Sequence, residues 1–120
     1  MIKPLLLSLA AALLLAGAVV AQKTVAPTTF TGEVMDSACA RAGSHDGMMK
    51  KSGAADAKDC TQKCVLAGAS YVLYDSTNKI AYQFDDQEKA AEFAGQTVKV
   101  TGTVNMSSHI IHASDIAPSS

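Results

Sequence analysis

Apolar and polar positions alternate with period two in several short runs, and two further runs carry a helical period. Residues 29–36 (TFTGEVMD) set Phe30, Gly32 and Val34 against Thr29, Thr31, Glu33 and Met35, which predicts a strand. Gly32 inside that pattern signals a bulge or the close approach of another backbone. Residues 71–84 (YVLYDSTNKIAYQF) read as a hairpin, because two β-rich arms flank Asp75, Ser76, Thr77 and Asn78, all turn formers. Ile80, Tyr82 and Phe84 give the second arm one apolar face. Two more strands follow at 96–104 and 109–116, the first alternating Val98, Val100 and Val104 with Lys99, Thr101 and Thr103.

Two short helices interrupt these strands. Asp56 is a candidate N-cap for a helix over 57–67 that stops at Gly68, with Asp59 favouring its positive end. Ala57, Cys60, Cys64 and Ala67 then share one face, so both cysteines point inward together. The second helix covers 85–95, with Asp85 or Asp86 as cap, Glu88 closing a capping box and Gly95 ending it. Ala90, Ala91 and Phe93 supply its buried side. Residues 42–55 hold three glycines and little periodicity, and are expected to be a loop with at most a helical turn.

The order is strand, helical insert, strand, strand, helix, strand, strand. It predicts a mainly β fold with short helices: a five-stranded OB-like barrel with a helical insert after the first strand. The domain runs over residues 29–118 and its insert over 37–68, and a flexible lead-in at 22–28 precedes it.

Residues 1–21 are of another kind. Lys3 precedes the apolar run 4–20 (PLLLSLAAALLLAGAVV), and Val19-Val20-Ala21 offers small residues to a signal peptidase. That is a secretory signal peptide, and the run is somewhat short for a membrane span of about 20 residues. The expected cut after Ala21 leaves 99 of the 120 residues, one small domain in the periplasm or outside the cell. Only Lys3 is lost from the ten Lys and Arg, so nine face eleven Asp and Glu. Only Lys50 and Lys51 stand together, which makes a nucleic-acid partner a poor expectation. No second apolar run follows, so no membrane contact is expected after cleavage.

The string FTGEVMDSACA…SHDGMM…DCTQKCVLAGASYVLYD…FAGQTVKVTGTV, within residues 30–116, resembles a family of small secreted bacterial proteins. The resemblance implies an OB-type barrel, export, and an insert with a Cys…His…Met…Cys-x-x-x-Cys pattern. It implies no activity. In this chain the pattern falls on Cys39, His45, Met48, Met49, Cys60 and Cys64.

Three readings of that cluster stand side by side. In an oxidising compartment Cys39 can bridge Cys60 or Cys64, and a loop of about twenty residues closed so is worth on the order of 3 kcal/mol. Cys60 and Cys64 are poorer partners for each other, since their Cβ vectors run parallel along one helix. Alternatively, Cys39, His45, Cys60 and Cys64 make a soft-metal site for copper or zinc, assisted by Met48 or Met49. A third possibility is redox chemistry at a thiol activated by the helix start. His109 and His112 lie three apart on a strand and face opposite sides, so they do not pair. No nucleophile motif, phosphate-binding glycine loop or tryptophan is present, and the chain reads as a binding module rather than an enzyme. If the metal reading fails, the expectation is a disulfide-stabilised barrel whose face binds a peptide, glycan or protein; Tyr71, Tyr74 and Tyr82 are its best anchors if exposed, and are as easily core or hairpin pairs.

Overall fold

The structure is a computed structural model that describes Gly17 and residues 26–119. Gly17 apart, the expected signal peptide and the expected lead-in up to residue 25 lie outside the described residues. Five strands and four short helices follow one another. They are β1 (Thr28–Asp36), α1 (Ser37–Ala42), α2 (Asp46–Ser52), α3 (Ala57–Leu66), β2 (Tyr71–Asp75), β3 (Ile80–Phe84), α4 (Gln87–Ala91), β4 (Thr97–Asn105) and β5 (Ile110–Pro118). Among these residues no helix is long and apolar enough to cross a membrane.

All strands belong to one sheet. Pairing runs β1–β2–β3–β5–β4 and returns from β4 to β1, so each strand has two neighbours. All pairs are antiparallel except β3 with β5, a short parallel contact through Gln83–Ile110 and Phe84–Ile111. Residue 28 joins β1, not the lead-in, because it pairs with Gly102.

The hydrophobic pattern explains how the sheet is covered. Val34, Leu73, Phe84, Val98, Val100 and Ile111 are fully buried and form the core on its inner face. Each such side chain contributes about 1.5–3 kcal/mol by leaving water. Val72, Tyr74 and Met35 point the other way, yet are buried too, because the insert folds over the outer face of β1 and β2. That second layer is why Tyr71–Tyr74 reads as four consecutive apolar residues rather than as an alternation.

At Gly32 the backbone of β2 approaches closely: a Cβ there would stand 2.5 Å from the carbonyl oxygen of Tyr74. Of the two features that a strand glycine signals, close backbone approach is the one present. A register shift opposite Thr101 and Gly102, where the pairing passes from Asp115 to Ala113, marks a bulge at Ser114 of β5 instead.

The helices differ from expectation in two places. Residues 42–55 are not simply a loop: they contain the whole of α2, and α1 ends on the first of them. Both helices are short and close on glycines with left-handed φ, Gly43 and Gly53, so their periodicity is too brief to read. In α4 the cap is Asp86, which accepts from the Lys89 N–H at 3.0 Å, so Glu88 falls one position short of a capping box. Gln87 does the unforeseen work. Its Oε1 accepts from the Tyr71 N–H at 2.7 Å, and its Nε2 donates to the carbonyls of Tyr71 (2.9 Å) and Phe84 (2.7 Å).

Candidate metal centre

The first strand ends in Asp36, and the chain turns there into α1. Asp36 is fully buried, and its Oδ2 accepts from the Cys39 N–H at 2.9 Å, so it is the N-cap of α1. One turn into α1, Cys39 faces α3. Asp56 caps α3 by accepting from the Asp59 N–H at 2.8 Å, which orients the helix so that Cys60 and Cys64 face Cys39.

The three sulfurs meet in this seam. Cys39 and Cys60 are fully buried and Cys64 is 6% exposed. Their sulfur atoms all lie within 4.8 Å of one another. The Sγ atoms of Cys39 and Cys60 are 3.9 Å apart, so they are in contact and not bonded. All three cysteines are free, and the anticipated bridge from Cys39 to Cys60 or Cys64 is not formed. Burial pushes the Cys39 thiol far above its ordinary range, aided by the hydrogen bond and charge of Asp36 and by Cys60. Burial also raises the Cys64 thiol, followed by the charge of Asp36 and Cys60. Without a cation Cys39 and Cys64 therefore favour the protonated thiol, and a metal ion binding here must displace those protons.

His45 joins on the opposite side of Cys39. One ring nitrogen, the Cys39 sulfur and an Asp36 oxygen again lie within 4.8 Å of one another. His45 thus neighbours a cysteine, but its group is Asp36–Cys39–His45 and not a foursome with Cys60 and Cys64. Its Nε2 is 3.1 Å from Glu33 Oε1. A carboxylate accepts, so Nε2 carries the hydrogen and Nδ1 presents its lone pair. Nδ1 is buried with no partner, and so is Asp36 Oδ1. Thr61 Oγ1 is a third such atom, in neither group. Buried polar atoms without partners cost roughly 1–3 kcal/mol each, and two of these three belong to the residues grouped around the Cys39 sulfur.

Met48 and Met49 are half-buried and pack against this cluster. Met48 lines a cavity of about 430 Å³ that also reaches Cys64, Ser37, Arg41 and Lys63. His109 lies in the turn before β5 with φ +54°, and His112 on β5 contacts Asp85 at 2.6 Å, both away from the cysteines.

Two contributors escaped the sequence reading. Asp36 precedes Ser37-Ala38-Cys39, the pattern of a helix cap, but the helix it starts is only six residues long, too short to show a period. Glu33 sits on a strand position that alternation marks only as outward. The chain matches no protein-family model, no curated protein and no solved structure.

Proposed function

We propose that this protein is an exported, non-catalytic binding module, an OB-type barrel whose insert holds a soft metal ion, zinc or copper, through Cys39, Cys60 and Cys64. One observation carries the reading: three buried sulfurs lie mutually within 4.8 Å, with Cys39 and Cys60 at 3.9 Å. Ligands about 2.3 Å from a tetrahedral zinc ion stand roughly 3.8 Å apart, so little rearrangement is needed to close around one. Thiolates select zinc and copper(I) over calcium or magnesium. Burial also shields the thiols from oxidants before metal arrives. For the barrel, the strand order β1–β2–β3–β5–β4 with a helix between the third and fourth strands supports the OB type.

The rival, a disulfide-stabilised barrel recognising a peptide or glycan, needs an exposed aromatic platform. Tyr71, Tyr74 and Tyr82 are 8%, 9% and 7% exposed and offer none.

The test is the mass of the protein from the periplasm, under native and denaturing conditions, with thiol alkylation. Three cysteines that alkylate only after a zinc or copper ion leaves support the reading. One alkylated cysteine, with no metal, refutes it in favour of a structural bridge.

A further inference from the structure

Cys39 belongs to two donor groups at once. On one side its sulfur meets Cys60 and Cys64, and on the other Asp36 and His45. The groups differ in chemistry: the first is all sulfur, the second one oxygen, one nitrogen and the shared sulfur. Asp36 has only Oδ1 to give, because Oδ2 holds the N-terminus of α1. His45 has only Nδ1 to give, because Nε2 is committed to Glu33. Those two atoms are among the three that are buried without partners, and their side chains are fully and nine-tenths buried. An ion seated among Cys39, Cys60 and Cys64 leaves them unpartnered.

The sulfur that the two groups share stands where it could serve both. A thiolate sulfur has lone pairs enough to ligate two ions together.

We infer that the insert holds a pair of zinc-class ions bridged by the Cys39 thiolate, one completed by Cys60 and Cys64 and the other by Asp36 Oδ1 and His45 Nδ1. This rests on the metal-binding reading above and extends it to a second ion. Each ion then has three protein ligands and one open position, and the position beside Cys64 faces the cavity of about 430 Å³.

Cobalt(II) is the probe, since it takes zinc's geometry and carries unpaired spin. The reduced, metal-free protein is titrated with cobalt(II) under anaerobic conditions and followed by native mass spectrometry and electron paramagnetic resonance. The expected result is two ions per chain. The signal should grow through the first equivalent and fall through the second, as the bridging sulfur couples the spins. Asp36→Asn keeps a good helix cap and should hold one ion with an undiminished signal. Two ions whose signals simply add would overturn the bridge. One ion in the wild type would overturn the pair while leaving the thiolate site standing. No bound cobalt, zinc or copper at all would sink the metal-binding reading itself. The wild-type measurements decide the matter even if the variant does not fold.

Discussion

Glu33 Oε1 lies 3.1 Å from His45 Nε2, so that nitrogen is engaged by the carboxylate while Nδ1 stays buried without a partner. The two residues are twelve apart in the chain, on β1 and at the start of α2, so the insert must fold back along the strand that precedes it. A carboxylate on the far nitrogen of a ligand histidine fixes its tautomer and raises its basicity.

Removing that carboxylate should weaken metal retention without unfolding the domain. Glu33→Ala is expected to lower zinc affinity about 10- to 100-fold, as loss of such partners does elsewhere. Glu33→Gln, whose amide oxygen still accepts from Nε2, should recover part of the loss. Competition against a chromophoric chelator measures both, and wild-type affinity in Glu33→Ala would show that His45 is not a ligand.

Oxidation of the metal-free protein should select one pair of cysteines. The Cys39 and Cys60 sulfurs at 3.9 Å must approach to about 2.0 Å to bond, a small shift for two side chains on separate helices. Cys60 and Cys64 share α3, where the required dihedral is strained. Peptide mapping after mild oxidation should find the Cys39–Cys60 crosslink and a free Cys64, and bound zinc should suppress it. A Cys60–Cys64 crosslink as the main product would contradict this geometry.

Stability of the reduced, metal-free protein should fall in alkali. Cys39 and Cys64 are raised in the folded state, chiefly by burial, so the folded protein keeps protons that the unfolded chain releases. Their contribution is complete below the unfolded thiol value of about 8.5 and is lost as pH rises above it. The slope approaches about 1.4 kcal/mol per pH unit for each thiol that stays protonated. Urea unfolding between pH 7 and 10 checks this, and the Cys39→Ala, Cys64→Ala double variant should show a flatter profile.

Gly32→Ala should destabilise the sheet. The new methyl group meets the Tyr74 carbonyl at 2.5 Å, and backbone cannot step aside as a side-chain tip can. A cost of about 1–3 kcal/mol is expected from overpacking of this kind. Thermal unfolding of the variant measures it, and an unchanged midpoint would mean that β1 and β2 are not this close.

Much of the architecture was legible because it depends on local rules. Period-two alternation in 97–104, the turn formers at 75–78 and the caps Asp56 and Asp86 are decided by neighbours in sequence, and each stands where those rules put it. Cysteines four apart on a capped helix had to share a face, and in α3 both are buried. The misreadings lie where local signals are short or are overridden. In α1 and α2, six and seven residues long, a helical period has no room to repeat.

By itself, then, the sequence determined the strands, the two later helices and the set of soft donors, since each follows from spacing and side-chain chemistry. Only the tertiary structure decided how those donors are grouped. Folding the insert onto the outer face of β1 and β2 buried Asp36, put Cys39 between two sets of partners and turned His45 toward Asp36 instead of toward Cys60. The physical reason is that a ligand set is a matter of distances between elements remote in sequence. Those distances are set by packing of a second apolar layer, and the apolar run Tyr71–Tyr74 marks that such a layer exists without saying which donors it brings together.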